Sequence, residues 1–352
     1  MSEPGTAALL AAIPLPLVLI GGDERVVAAN PAAGQLFGAA GAGVHYITLL
    51  RQPVLLDCVE AALKTGLQRE AQFLSRDGER DVTFHVVAAP VGQGVMLSLE
   101  DISHVQAAGE MRRDFVANVS HELRTPLTAL IGFVETLQGP ARNDLAARTR
   151  FLDIMAREAG RMSRLIEDLL SLSRVESQER VRPTRRVDLA ALVTSVAATL
   201  GPVARDGNVR LTVTGADNPA EVTGDADQLS QVIANLIENA IKYGGGEVTV
   251  DLARQDRDPA LRGPAMRIEV RDNGDGIDAI HIPRLTERFY RIDSHRSREM
   301  GGTGLGLAIV KHIVNRHRGQ LIIDSQVGSG STFPVHLPAA RGLLEMAVPA
   351  AK

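Results

Sequence analysis

Three shortages narrow this chain before any motif is weighed. It has one cysteine, Cys58, in 352 residues, which excludes an intrachain disulfide framework and fits a reducing compartment. Its formal net charge of -4 gives no attraction to a phosphate backbone, so nucleic acid is not expected as a partner. It also lacks a hydrophobic run long enough to span a bilayer. The run from Ala7 to Ile20 is short of the roughly twenty residues a spanning helix needs, and Pro14 and Pro16 interrupt it. No basic residue precedes it, so a secretory signal is not indicated, and it reads as a short helix followed by a buried strand. These absences predict a cytoplasmic chain, either a whole protein or the soluble part of a membrane-associated signalling system.

The rest of the composition, 45% hydrophobic and 23% charged, is that of a globular chain with two or three cores. Residues 8–103 alternate short apolar runs with turns: Leu17 to Ile20 before Gly21-Gly22-Asp23-Glu24, then Val26 to Ala29, and later Val82 to Val87 and Val95 to Leu99. The pattern predicts an antiparallel sheet, with Asn30-Pro31 opening a helix that reaches Phe37-Gly38. This succession resembles a PAS sensor domain, whose closing strand, here ending at Glu100-Asp101-Ile102, hands over to a signalling helix. Cys58 lacks the asparagine-cysteine context of flavin-binding photosensors, and His45 and His85 read as structural histidines in apolar surroundings. No cofactor is expected in this part.

From residue 104 to 180 the period becomes helical. Val116, Leu123, Leu130 and Leu137 recur every seven residues, with Val119, Leu127 and Val134 at intermediate offsets, the stripe of a coiled-coil or bundle helix. Gln138-Gly139-Pro140 ends it, and Phe151, Met155, Met162, Ile166, Leu169 and Leu172 carry a second stripe. Two antiparallel helices bury one seam poorly by themselves, so pairing with a second copy into a four-helix bundle, and hence a homodimer, is expected. In this register His121 points away from the seam and Thr125 shares its face one turn later. Pro126 removes a hydrogen bond to the Glu122 carbonyl and is expected to bend the helix there.

Residues 188–338 hold short motifs that each have a plain reading when taken alone. Asn235 and Asn239 fall at i and i+4 on one helix face, where two amide oxygens suit a hard cation, though polar residues facing solvent would look the same. Asp272-Asn273-Gly274-Asp275-Gly276 ends an alternating strand, Ile268 to Arg271, and by itself is a turn signal. Gly301-Gly302-Thr303-Gly304-Leu305-Gly306-Leu307 leads into the apolar periodic run Ala308 to Lys311. Such glycines allow close backbone approach, and the helix N-terminus behind them favours negative charge. No strand feeds directly into this string and no Gly-Lys-Ser/Thr occurs, which argues against a dinucleotide fold and a P-loop. Glu287 to Arg291 and the polar stretch Asp293 to Met300 read as a mobile lid; Arg288 and Arg291 could contact phosphate or the histidine domain during transfer, with solvent the favoured reading for arginines on a lid. Gly328 to Phe333 predicts a turn and final strand, and residues 339–352 a tail.

Taken together, Ser120-His121-Glu122-Leu123-Arg124-Thr125-Pro126-Leu127, Asn239, Asp272 to Gly276 and Gly302 to Leu307 resemble the sensor histidine kinases of bacterial two-component systems. Met111 to Asn118 and Ile282 to Arg291 look most like the phosphate-regulon sensor kinases, although members of that subfamily carry N-terminal membrane segments and this chain shows none. The resemblance implies a multi-domain α+β protein: a PAS-like α/β sensor domain, a dimeric antiparallel four-helix bundle, and an α/β-sandwich ATP-binding domain shared with gyrase and Hsp90. It implies that His121 takes a phosphoryl group from ATP and passes it to an aspartate of a response-regulator receiver domain. Glu122 would be the general base, and Thr125 would orient water when the same enzyme dephosphorylates the regulator. Asn239 would coordinate Mg2+ with Asn235 in support, while Lys242, Tyr243 and Arg291 approach the nucleotide. Asp272 would take the adenine amino group beside Gly274 and Gly276, and Gly302, Thr303, Gly304, Leu305, Gly306 and Leu307 would surround the phosphates. A non-catalytic scaffold would show broken motifs, and these are intact; a regulator dominated by phosphatase activity would keep the same residues and stays open.

Overall fold

The computed structural model describes residues 6–38, 42–77, 80–178, 181–259, 261–292 and 302–340. Internal contacts divide the chain into two compact units, Met1–Ala117 and Asn118–Lys352, and the division falls inside a long helix.

The first unit is built on β1 (Leu17–Ile20), β2 (Val26–Ala29), β3 (Arg69–Asp77), β4 (Arg80–Val91) and β5 (Gly94–Asp101), an antiparallel sheet ordered β2-β1-β5-β4-β3. In β5, Val95, Leu97 and Leu99 are buried while Gly94, Met96 and Ser98 are half-buried and Glu100 is exposed, the period of a strand with one packed face. The elements α1 (Thr6–Ala11), α2 (Pro31–Phe37), α3 (Tyr46–Leu50) and α4 (Pro53–Thr65) complete the unit, and Leu55, Val59 and Ala62 of α4 share one core with Ile20, Val86 and Leu97. Asn30 is buried at the junction of β2 and α2. Its Oδ1 accepts from the amides of Leu17 and Ala33, and its Nδ2 donates to the carbonyls of Ile13 and Leu15, so one side chain caps α2 and fixes the chain entering β1.

His45 and His85 are not in purely apolar surroundings. His45 pairs with Glu24 at 3.1 Å and His85 lies 3.8 Å from Glu70, partners that neighbouring strands and turns bring close from elsewhere in the sequence. At the far end of the sheet, β5 passes into α5 (Ser103–Gln138). Thr83 holds that junction: its amide donates to Ser103 Oγ at 2.9 Å and its carbonyl accepts from the Ile102 amide at 2.9 Å.

The second unit begins within α5, which runs through Pro126 without interruption and ends at Gln138 as the sequence predicts. Asp144 then caps α6 (Leu145–Ser177) by accepting from the Ala147 amide at 3.0 Å. The two helices form the expected hairpin, with Phe133 and Phe151 stacked across it at 5.3 Å between ring centroids. Leu165, Leu172 and Val175 are buried, whereas Leu127, Ile131, Ile166 and Leu170 stay roughly half exposed. A single chain therefore covers only part of each stripe.

Beyond the hairpin, β6 (Arg185–Asp188) pairs with β8 (Glu221–Gly224). A larger sheet of β7 (Arg210–Thr214), β9 (Glu247–Asp258), β10 (Gly263–Asp272), β11 (Gln320–Leu321), β12 (Asp324–Gln326) and β13 (Gly330–Pro338) runs in the order β11-β13-β10-β9-β7, with β12 also on β13. Only the β7–β9 pairing is parallel among these. Three helices, α7 (Leu189–Asp206), α8 (Ala226–Tyr243) and α9 (Gly306–Arg316), give the second layer. Leu229, Val232, Ile233, Leu236 and Ile237 recur at helical spacing on the buried face of α8, and Val250, Ile268, Val270 and Val335 supply the sheet side. The opposite sheet face carries Asp251, Arg267 and Glu269 in ion pairs. The α/β sandwich is thus as expected, but it starts at Arg185, and the amides of Ala339 and Ala340 still bond to Pro264 and Glu221, so the assumed tail begins later than residue 339.

Two residues at the end of α9 fasten this domain. Arg316, whose side chain is 7% exposed, donates from Nε to the carbonyls of Gln178 and Val181, just beyond α6. His317 is buried, with Nε2 accepting from the Asp225 amide at 3.0 Å and Nδ1 facing the Ile313 carbonyl at 2.7 Å, so the neutral ring is protonated on Nδ1. Burial pushes its imidazole below the ordinary value, reinforced by the Arg316 charge and opposed by the Ile313 bond. The native state then binds fewer protons than the unfolded one below about pH 6.5, so stability present above that pH is lost as pH falls through the lowered native value. Denaturant midpoints measured across pH should fall on the acid side, and His317→Asn should flatten that slope; an unchanged slope would refute the assignment.

Among the described residues no helix is long and apolar enough to cross a membrane.

Candidate functional site

His121 is exposed on α5, and Thr125, also exposed, bonds back through Oγ1 to the His121 carbonyl at 3.1 Å. Glu122 is turned about 100° round the helix from His121. Its Oε2 accepts from Arg161 of α6 at 2.8 Å and from Arg291 at 3.1 Å, and its Oε1 takes a second bond from Arg291 at 3.4 Å.

The two arginines of the supposed lid are therefore not solvated. Arg291 is 7% exposed and fixed to Glu122, while Arg288 pairs with Glu176 of α6. Their partners come from helices more than a hundred residues earlier, which sequence proximity cannot reveal. Between them Phe289 has φ 64, an outlying conformation for a bulky residue, and its amide donates to the Gly304 carbonyl at 2.8 Å. The arginine segment is in this way tied to the glycine string. Asp293 to Met300 and Gly301 lie outside the described residues.

A cavity of about 480 Å³ gathers most of the remaining predicted residues: Asn235, Asn239, Lys242, Tyr243, Asp272, Gly276, Arg291, Gly302, Thr303, Gly304, Gly306 and Leu307 all line it. Asn235 and Asn239 share a wall because they are one turn apart on α8. Nδ2 of Asn235 donates to the Gly306 carbonyl at 3.3 Å, and Lys242 pairs with Glu238 at 2.8 Å. Asp272 ends β10 almost buried, and its Oδ1 accepts from the amides of Gly274 at 3.0 Å and Ser331 at 3.2 Å. Burial pushes its carboxyl above the ordinary value, against the pull of those two bonds.

Gly274 and Leu305 do not line the cavity. Gly274 acts through the amide it gives Asp272, and Leu305 is fully buried ahead of α9. Two glycines are demanded by the protein's own packing. Gly276 has φ +70, and a Cβ there would lie 2.0 Å from the Gln326 carbonyl oxygen; Gly304 has φ +73, with a Cβ 2.9 Å from Phe289 Cα.

Sequence reasoning missed the wall formed by α6. Arg164, Glu167 and Asp168 line the same cavity, and the Thr303 hydroxyl donates to Asp168 Oδ2 at 2.6 Å. The only trace in the sequence is that Asp168 lies on the margin of the stripe marked by Leu165, Leu169 and Leu172.

Residues 111–178 match the family described as His Kinase A (phospho-acceptor) domain, and residues 224–341 the histidine kinase-, DNA gyrase B- and HSP90-like ATPases. Phosphate regulon sensor protein PhoR of Pseudomonas aeruginosa is 39% identical over 261 residues, 73% of this chain and 57% of that protein. Sensor-like histidine kinase SenX3 of Mycolicibacterium smegmatis is 40% identical over 240 residues, 68% of this chain and 61% of that one. The chain thus spans less than two thirds of the length of either. Among solved structures, histidine kinase ThkA in complex with response regulator protein TrrA matches 97% of this chain and 99% of its own at a TM-score of 0.50 and 20% identity, a likeness of fold alone. The two matched domains take in more than half of the residues, in the order that the histidine and nucleotide motifs require, and by them the chain belongs to the histidine kinases.

Proposed function

We propose that this chain is an ATP-dependent protein-histidine kinase that phosphorylates His121 and donates the phosphoryl group to an aspartate of a response-regulator receiver domain. The observation that carries this reading is Arg291, which lines the cavity and bonds Glu122, the residue next to the acceptor histidine. One guanidinium joins the acceptor helix to the nucleotide site within a single chain.

The cavity suits ATP. Asp272 commits Oδ1 to two amides, leaving Oδ2 for an amino group such as that of adenine, where a guanine oxygen would meet like charge. The amide oxygens of Asn235 and Asn239 would hold Mg2+, which when bound neutralises phosphate charge. Among the described residues no group of three His, Cys, Asp or Glu side chains forms a metal cage, which fits an ion that keeps water and phosphate among its ligands. Thr303 and the start of α9 line the cavity and would offer a hydroxyl and backbone amides to the phosphates. In the transfer, an unprotonated ring nitrogen of His121 attacks the γ-phosphorus and the nitrogen–phosphorus bond forms. The bond to the β,γ-bridging oxygen breaks, ADP departs, and the proton on the other ring nitrogen passes to Glu122 once its arginines yield.

Several companion roles belong to the same reading. The exposed Leu127, Ile131, Ile166 and Leu170 support a homodimeric four-helix bundle. The strand order of the first unit, and the Thr83 junction into α5, support a PAS-like sensor that passes its signal along that helix. Similarity to PhoR supports phosphate-starvation signalling, and Thr125 one turn beyond His121 supports regulator dephosphorylation by the same domain.

Labelled ATP and a panel of receiver domains test the proposal directly: the parent should acquire acid-labile label and pass it to at least one receiver, and failure to label would end the kinase reading. Glu122→Gln, chosen because alanine would strand Arg291, should slow autophosphorylation by about a hundredfold to ten-thousandfold while sparing dephosphorylation of a phosphorylated receiver. Thr125→Ala should do the reverse. Parallel losses in both variants would defeat this division of labour.

A further inference from the structure

The cavity wall contributed by α6 brings a negative charge to the place where the glycine string presents its donors. Thr303 stands between Gly302 and Gly304, immediately ahead of α9, and α9 has no side-chain cap at its N-terminus. Its hydroxyl is already engaged at both ends, accepting from the Leu305 amide at 3.3 Å and donating to Asp168 Oδ2 at 2.6 Å. A carboxylate oxygen on a hydroxyl beside a helix N-terminus has the charge and hydrogen-bonding character of a phosphate oxygen.

We infer that Asp168 is an anionic placeholder for the phosphates of a nucleoside triphosphate, so that nucleotide binding and the α6 contact at Thr303 exclude one another. The inference rests on the reading of the cavity as an ATP site and adds a competitor from within the chain.

The contact is suited to release. Burial raises the Asp168 carboxyl above its ordinary value, eased by the Thr303 bond, while the Glu238 carboxylate raises it further and Lys242 opposes. Burial thus disfavours the charged carboxylate at this position, which assists its displacement by a ligand that brings more contacts. Other polar contacts join the same domain to the hairpin: Arg291 with Glu122, Arg288 and His312 with Glu176, and Ser171 with Gln231. Loss of the Thr303 contact removes one attachment of this set, and by reciprocity whatever shifts α6 away from Thr303 raises affinity for the triphosphate.

Calorimetric titration of the full chain with a non-hydrolysable ATP analogue and, separately, with adenosine tests the inference. Asp168→Ala removes the competitor and Asp168→Asn keeps its shape while discharging it. Both should bind the triphosphate analogue about fivefold or more tightly than the parent, with adenosine affinity unchanged because adenosine has no phosphate to compete. Unchanged or weaker triphosphate binding in both variants would overturn the inference, as would an equal gain for adenosine, which would signal a general opening of the cavity. If the parent binds neither ligand, the failure lies with the nucleotide reading itself, and that outcome is distinct from all the others.

Discussion

His121→Gln will reduce acid-labile phosphate incorporation to background while leaving ATP binding at the parental level. The two halves of this result follow from separate observations. His121 is exposed on α5 and does not line the cavity, so its replacement leaves the nucleotide site untouched. Glutamine keeps helix propensity and polarity but has no nucleophilic ring nitrogen. His317 and His336 are poor substitutes, since both are buried with ring nitrogens bonded to Ile313 and Asp258 among other groups. Phosphohistidine is lost in acid and survives in base, which separates it from label on serine or threonine. Acid-labile label persisting in the variant would mean that another residue is the acceptor.

Asp272→Asn should weaken ATP binding by roughly 10- to 100-fold, the expected penalty for a buried donor facing a donor. An asparagine can still accept the Gly274 and Ser331 amides on Oδ1, but its other position becomes an NH2 group directed at the adenine amino group. Discrimination against GTP should shrink with it. Stability should move the other way. The native carboxyl is raised by burial, so its contribution is fully present below the ordinary carboxylate range and is lost as pH rises through the native value. At neutral pH the charged form therefore burdens the fold, and Asp272→Asn should hold or raise the melting temperature while losing ligand. Asn239→Ala offers the complementary test: Mg-ATP should bind more weakly, with adenosine little affected. Titration calorimetry with ATP, GTP and adenosine decides between these outcomes, and parental ATP affinity in both variants would show that the site has been misplaced.

What sequence could reveal here depended on how local the cause was. The helix carrying Asn235 and Asn239, the strand ending at Asp272 and the outward face of His121 are all set by spacing within one element, and each lies where periodicity places it. Gly276 and Gly304 were legible as motif members, but not for their full reason, since the groups that would collide with a Cβ are Gln326 and Phe289 from distant segments. Partners were harder to read. The favoured solvent-facing reading of Arg288 and Arg291 gave way to its alternative, contact with the histidine-bearing helices, and the specific partners Glu176 and Glu122 lie far away along the chain. Asp168 was silent for the same reason: a lone aspartate on a polar helix margin acquires meaning only when another domain folds against it.

The grip of Arg316 on Gln178 and Val181 bears on how this protein can be cut and recombined. The segment following α6 resembles a free connector, the natural junction for splicing a foreign helical hairpin onto this ATPase. Yet its carbonyls are the acceptors for a guanidinium that is 7% exposed and lies 3.6 Å from Asp225, the residue that caps α8. A chimaera joined within that connector with altered length would leave a buried charged donor short of acceptors, a penalty of roughly 1–3 kcal/mol or more in the domain that carries Asn235 and Asn239. The natural splice point lies inside α6, upstream of Gln178, so that connector and ATPase travel as one cassette.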